Sequence, residues 1–111
     1  MQLLAFDRET ALKRFGSRHV LKEAIRAFLE ESPKLTDRLE AHALAGDLEQ
    51  MAAMGHCLKG SLAMLEARES VDAADEMRRW ARQGNRVQAM AAWSRLVGAI
   101  GRLRQELRQA G

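Results

Sequence analysis

Apolar residues recur every three or four positions along almost the whole chain, and this spacing constrains the fold more than any other feature of the sequence. The period matches the 3.6 residues per turn of an α-helix, whereas a half-buried strand would alternate apolar and polar residues. No run of such alternation is long enough to indicate a strand. The sequence therefore predicts an all-α protein, and its 111 residues, 47% of them apolar, fit a single domain over residues 1–111.

Capping residues and glycines mark the first helix boundaries. Asp7 is a candidate N-cap for a short first helix that ends at Gly16, and a second helix starts after Ser17. One stripe runs through the second segment and crosses Pro33 without losing phase, which favours a single kinked helix over two helices. The stripe consists of Leu21, Ile25, Phe28, Ser32, Leu35, Leu39 and His42.

Three further helices complete the predicted fold. Gly46 suits the end of the second helix, and Asp47 suits the N-cap of the third. The predicted helices cover about 48–65, about 68–83 and the stretch after Asn85. Four long amphipathic helices with short loops predict an antiparallel up-and-down four-helix bundle, with the short N-terminal helix as a lid.

The last helix carries two specific expectations about packing. Its residues expected to face the core are Val87, Met90, Trp93, Val97, Ile100, Leu103 and Leu107. Gly98 and Gly101 lack side chains and invite a close contact with another helix. The sequence therefore predicts a close helix contact through these two glycines, with weak packing of the last helix as the alternative.

Composition excludes several classes of site. Cys57 is the only cysteine, so an intramolecular disulfide and a cysteine-rich metal site are both impossible. No apolar run approaches the ~18 residues that a membrane span requires, and no secretory signal is visible, so we expect a cytoplasmic protein without membrane contact.

The net charge of +3 hides an asymmetry along the chain. Residues 1–77 carry ten Lys/Arg and fourteen Asp/Glu, a balance of −4, whereas residues 78–111 carry eight Arg and one Glu, a balance of +7. A basic C-terminal face could steer the protein toward nucleic acid, an anionic membrane or an acidic protein. We favour a solvated arginine-rich helix face over any one of these.

His56 stands out in the third predicted helix. At about 100° per residue it lies nearly opposite Leu58, and so it must point outward. The core face of this helix comprises Leu48, Met51, Gly55, Leu58, Leu62 and Leu65. The outward neighbours of His56 are Ala52, Ala53, Gly60 and Ala63, with Lys59 on the flank. Because an ordinary exposed face would carry long polar side chains there, the small residues indicate a surface that a partner approaches closely.

The residues after His56 fit phosphoryl chemistry. Gly60 costs the helix about 1 kcal/mol relative to alanine, and its missing side chain leaves room beside the imidazole one turn earlier. Lys59 can bring its ammonium beside a phosphoryl group on His56 and offset the added negative charge. A neutral imidazole has a free nitrogen lone pair and acts as a nucleophile. Nucleophile, cation and clearance therefore coincide.

The run His-Cys-Leu-Lys-Gly-Ser at residues 56–61, within a small all-α chain, resembles the histidine-containing phosphotransfer (Hpt) domains of multistep phosphorelays. Other similar segments are 6–9, 28–33, 45–48 and 82–85. The resemblance implies a four-helix bundle whose exposed His56 accepts a phosphoryl group from a receiver-domain aspartate and passes it to another.

The resemblance also implies what the chain works with. It implies no ATP site and no cofactor of its own, because the Mg²⁺ for transfer is held by the receiver domain. The implied partners are a response-regulator receiver domain and a hybrid sensor histidine kinase. A monomer is the expected state. Because the chain starts at Met and ends shortly after its last predicted helix, we also expect a free-standing carrier and not a fragment of a larger kinase.

Two stretches depart from the family pattern. Members often continue after the motif with Ala-Asn-Leu-Gly-Ala, but residues 63–67 read Ala-Met-Leu-Glu-Ala, so the loop after the site helix is expected to differ. Members also tend to place Gln or Glu within reach of the ring, and Arg78 stands at that position. Because arginine cannot accept the ring N–H, Arg78 would be a second cation at the phosphoryl group, with Asp75 as a candidate acceptor.

Two other functions stay open at this point. A non-catalytic Hpt-like adaptor or inhibitor could bind a receiver domain or kinase through the same surface. A basic bundle could bind nucleic acid through the arginines of residues 78–108, although scarce aromatic residues and the lack of a known motif make this an unfavoured alternative. Among other reactive side chains, His19 is expected at the surface, His42 at the core boundary and Cys57 in the packing.

Overall fold

Five helices and no strand make up residues 2–110, the part of the chain that this computed structural model describes. The helices are α1 (Arg8–Phe15), α2 (Arg18–Leu44), α3 (Leu48–Met64), α4 (Arg68–Arg82) and α5 (Arg86–Ala110). The predicted all-α class is therefore confirmed. Within the described residues, no helix combines the length and the apolar character needed to cross a membrane.

Local capping signals explain where most of the helices begin and end. Four helices begin at a residue whose side-chain oxygen accepts a backbone N–H of the first turn, namely Asp7, Ser17, Asp47 and Asn85. Gly16, Gly46 and Gly84 follow the ends of α1, α2 and α4 with φ of 72°, 69° and 72°, the left-handed region that glycine enters without strain. These boundaries agree with the ones predicted from the sequence.

The second helix is continuous across Pro33, as the unbroken apolar stripe predicts. It spans 27 residues, and Pro33 lies on its exposed side. Proline removes one backbone donor from a helix interior. Just after it, the hydroxyl of Thr36 donates to the carbonyl oxygens of Ser32 and Pro33 at 3.0 and 3.1 Å.

The core is built around α4, which packs along both α3 and α5, while α2 contacts the same two helices. The buried face of α4 is formed almost entirely by small residues, and so the neighbouring helices can approach it closely. These residues are Ser70, Ala73, Ala74, Met77 and Ala81. Apart from Met77, the larger side chains that fill the interior come from the other helices and include Leu39, Met51, Leu58, Leu62, Leu96, Ile100, Leu103 and Leu107.

The predicted inward face of the last helix is wrong at Val87 and Val97, whereas Met90 and Trp93 are partly buried and pack against the core as predicted. Val87 and Val97 are 77% and 49% exposed. The buried residues in their place are Ala89, Ala92, Leu96 and Ala99. Alanines therefore occupy much of the buried face of α5, as they do that of α4, and the two valines face solvent. The predictions for Ile100, Leu103 and Leu107 are confirmed.

A glycine does mediate a close helix contact, but in α3 and not in α5. A Cβ added at Gly101 would meet nothing within 4 Å, and one at Gly98 would meet only the guanidinium of Arg102. The predicted contact through these two glycines is therefore wrong. A Cβ at Gly55 would lie 3.2 Å from the carbonyl oxygen of Ala74 and 3.1 Å from Cε of Met77. Gly55 thus lets α4 approach the helix that carries His56.

Replacing Gly55 with valine is expected to lower the free energy of unfolding by about 2 kcal/mol, because overpacking a close helix contact forces the backbone apart. The exposed Gly60 in the same helix is a matched control, since a Cβ there meets nothing. Gly60→Val is expected to change stability by less than about 0.5 kcal/mol. Urea unfolding followed by circular dichroism compares the two, and equal midpoints would contradict the contact at Gly55.

Candidate functional site

His56 lies on the exposed surface of α3, as the helical spacing predicts. The small residues chosen from the sequence share that surface, with Ala53 and Gly60 exposed and Ala52 and Ala63 partly buried. No hydrogen bond engages the His56 imidazole among the described residues. The ring is therefore open to a partner, and the small residues named above leave room beside it on the surface of α3.

Gly60 is not required by the packing of this chain. A Cβ at this position would meet nothing within 4 Å, so the space beside it is open. The helix nevertheless carries glycine here, at a cost of about 1 kcal/mol relative to alanine. Packing within the described residues therefore does not account for this glycine, and its role in giving access to His56 stays a prediction.

Lys59 is held by a cluster of charges between α3 and α4. Its Nζ donates to Oδ1 of Asp75 at 3.0 Å, and Nη2 of Arg78 donates to the same oxygen at 2.9 Å. Nε of Arg79 lies 3.5 Å from the other carboxylate oxygen. The hydrogen bonds from Arg78 and Lys59 hold the pKa of the Asp75 carboxyl below its usual value, against the opposing effect of burial. Three cations thus surround one carboxylate.

A shallow cleft of about 600 Å³ opens beside the imidazole. Its walls are Leu48, Glu49, Ala52, Ala53, His56, Cys57, Ala81 and Arg82. Cys57 is exposed, so its predicted place in the packing is wrong. It lies about 100° from His56 around α3, and the solvent-facing arc of this helix is wide enough to include both. Arg82 was not singled out from the sequence, although it lies one turn after Arg78 on α4.

The family model described as the Hpt domain matches residues 23–110, which include most of α2 and all of α3, α4 and α5. The chain belongs to the Hpt domain family. No curated protein and no solved structure matches it. Hpt domains are helical bundles that act as phosphocarrier modules in two-component phosphorelays, where they interact with receiver domains and histidine kinases.

Arg78, which departs from the Hpt pattern, is bound to a carboxylate in this structure. Its Nη2 donates to Asp75, and its buried Nε has no hydrogen-bond partner among the described residues. Among the described residues no hydrogen bond joins Asp75 to His56, and its Oδ1 accepts from Lys59 and Arg78 instead. The direct contact of Arg78 with a phosphoryl group stays a prediction.

Glu66, which replaces the glycine of the Hpt pattern, adopts a left-handed conformation with φ of 56°. This conformation costs a non-glycine residue roughly 1 kcal/mol. The side chain is buried and bound by Arg14 of α1, whose Nη2 and Nε lie 2.6 and 2.8 Å from its Oε1. The chain therefore keeps a glycine-like turn after α3, and the substituted side chain ties α1 to it.

The other two histidines lie in different surroundings. His19 is exposed in the first turn of α2. His42 is partly buried near the end of α2, where its Nδ1 lies 3.9 Å from a carboxylate oxygen of Asp47. Neither combines exposure with a following lysine and glycine, and so neither resembles the Hpt site. Among the described residues, no group of His, Cys, Asp and Glu is arranged to hold a metal ion.

Among the described residues, half of the eight arginines of the C-terminal half pair with carboxylates of α4. Arg95 of α5 donates to Asp72 at 2.7 Å and also to Glu76. Arg102 donates to Glu69 at 2.9 Å. Arg95 and Arg102, which lie in the arginine-rich stretch considered for nucleic-acid binding, therefore face carboxylates of α4, and this pairing reduces the free positive charge of the face.

Proposed function

We propose that this chain is a histidine phosphocarrier of a multistep phosphorelay, in which His56 accepts a phosphoryl group from one receiver-domain aspartate and donates it to another. The supporting observation is an exposed imidazole among small residues, with Lys59 and Gly60 in the next turn, in a member of the Hpt domain family. In the proposed arrangement, α2 to α5 form an antiparallel up-and-down four-helix bundle with α1 at its end.

The proposed transfer needs only the imidazole of His56 as nucleophile. The Nε2 lone pair forms the new N–P bond in line with the P–O bond to the aspartate, which breaks and leaves a carboxylate on the receiver. The proton on the other ring nitrogen passes to solvent. Return transfer to a second receiver reverses these bond changes, so the chain requires no ATP site.

Lys59 and Gly60 support the transfer in different ways. Lys59 offsets the charge of the phosphoryl group during transfer and in phosphohistidine, since a preorganised cation stabilises developing negative charge. Gly60 admits the backbone of the docking receiver, and Ala52, Ala53 and Ala63 widen the contact surface. Arg78 adds positive charge at the edge of this site.

The proposed setting follows from this role. The partners are a response-regulator receiver domain, which supplies the Mg²⁺ for transfer, and a hybrid sensor histidine kinase. We place the chain in the cytoplasm as a monomeric single domain over residues 1–111, acting without a cofactor of its own and without contact with nucleic acid or membrane.

The proposal is tested by labelling the purified chain with phosphoramidate, a small donor that transfers its phosphoryl group to imidazole and releases ammonia. We expect one phosphoryl group per chain, labile in acid and stable in alkali, that then passes to at least one member of a panel of receiver domains. A chain that binds receivers tightly but never becomes labelled would be an adaptor and would overturn the proposal.

A further inference from the structure

The partner of Lys59 in the unmodified protein is Asp75. The two residues lie on different helices, and the ammonium of Lys59 reaches from α3 to the carboxylate on α4 at 3.0 Å. Lys59 also follows His56 by three positions, which makes their side chains neighbours on the helix surface. The ammonium of Lys59 therefore pairs with one carboxylate in the unmodified protein. It also lies on the same helix surface as the imidazole that would carry the phosphoryl group.

We propose that Asp75 is a positioning residue that holds Lys59 beside the bare imidazole and yields it to the phosphoryl group once His56 is modified. The inference rests on the proposed phosphocarrier function. It gives Asp75 a role through Lys59, because Asp75 makes no hydrogen bond to His56 among the described residues.

The exposure of the cluster allows this exchange of partners. The side chains of Lys59 and Asp75 are 40% and 28% exposed, so the ammonium can swing toward His56 through solvent. A phosphoryl group carries nearly two negative charges at neutral pH, against one on the carboxylate, and it attracts the ammonium more strongly.

Asp75 is not left unpaired when Lys59 leaves. Arg78 still donates to it at 2.9 Å, and Arg79 lies at 3.5 Å. Arg78 is only 19% exposed and is therefore less free to move than Lys59. Arg78 therefore satisfies the carboxylate in both states, and Lys59 is the more exposed of the two cations that donate hydrogen bonds to Asp75.

The exchange has a measurable cost in the modified protein. The ammonium of Lys59 must leave the carboxylate of Asp75 before it can pair with the phosphoryl group on His56. In Asp75→Asn this competing charge is absent, so the same phosphoryl group should stabilise the folded state more. The quantity to compare is the change in the free energy of unfolding that phosphorylation causes. If Asp75 had only a structural role, its replacement would change the stability of the modified and the unmodified protein equally.

The test compares urea unfolding midpoints before and after labelling with phosphoramidate at pH 8. The shift caused by phosphorylation is expected to be at least about 0.3 M more stabilising in Asp75→Asn than in the wild type. Asp75→Glu, which keeps the charge, should return the shift to the wild-type value. Asp72→Asn is the matched control, because Asp72 lies one turn earlier on α4 and pairs with Arg95 instead.

The same comparison in a Lys59→Gln variant separates the role of Lys59 from simple repulsion between the carboxylate of Asp75 and the phosphoryl group. In Lys59→Gln, adding Asp75→Asn should leave the phosphorylation shift unchanged. An extra shift of the same size in that background, or equal shifts in the wild type and Asp75→Asn, would overturn the role of Asp75. Failure of the wild type to become labelled would instead overturn the phosphocarrier function, so the two failures are distinguishable.

Discussion

Replacing His56 with glutamine is expected to abolish phosphoryl acceptance completely. The amide of glutamine lacks the basic nitrogen lone pair that attacks phosphorus. The fold should survive, because His56 is exposed and makes no hydrogen bond within the described residues. Glutamine is also at least as good a helix former as histidine, so the free energy of unfolding should change by less than about 0.5 kcal/mol.

The chain offers two matched controls for this experiment. His19→Gln and His42→Gln remove the same chemical group from an exposed and a partly buried position of α2. Both variants should take up the acid-labile label to the wild-type level, from phosphoramidate and from a phosphorylated receiver domain. Label on His56→Gln, or its loss in either control, would place the phosphoacceptor elsewhere in the chain.

The helix boundaries could be predicted from the sequence because their signals are local. The side chains of Asp7 and Asp47 accept N–H groups only three residues ahead, and Gly16 adopts its conformation without help from distant residues. The outward direction of His56 is equally local, since it follows from the helical period and the buried side of a single helix.

Interactions between helices were harder to predict. Val97 was assigned to the core from the spacing of apolar residues along α5, but it is 49% exposed, and Leu96 and Ala99 are buried instead. The sequence likewise showed Gly55 only as a core-face position, and its close contact depends on where Ala74 of α4 lies. A single chain reveals neither without knowledge of the neighbouring helix.

In the candidate site, too, the local features could be predicted from the sequence and the contacts between helices could not. Lys59 and Gly60 could be chosen from the sequence because they lie within one turn of His56. The bond between Lys59 and Asp75 joins residues 16 positions apart, and it depends on the docking of α4 against α3. The sequence raised Asp75 as an acceptor for the ring, whereas the structure assigns its carboxylate to the surrounding cations.

Gly60→Gln is expected to slow phosphotransfer from a receiver domain by about 100-fold or more, since small displacements of the reacting groups have effects of this size. The glutamine side chain would project into the open space one turn from His56, where the receiver must dock. Labelling by phosphoramidate should stay within a few-fold of the wild-type rate, because this small donor needs no docking surface. The variant should also be more stable by about 0.5–1 kcal/mol, since a glycine in a helix interior is replaced by a good helix former.

Gly60→Ala separates clearance from helix stability in this prediction. Its Cβ meets nothing within 4 Å, so it should stabilise the helix about as much as glutamine while leaving most of the docking space open. Its transfer rate from the receiver should therefore lie much closer to the wild-type rate. If both donors slow equally in Gly60→Gln, the glutamine acts on the imidazole itself and not on docking. Native transfer rates in Gly60→Gln would mean that the receiver does not use this space, and the glycine would need another explanation.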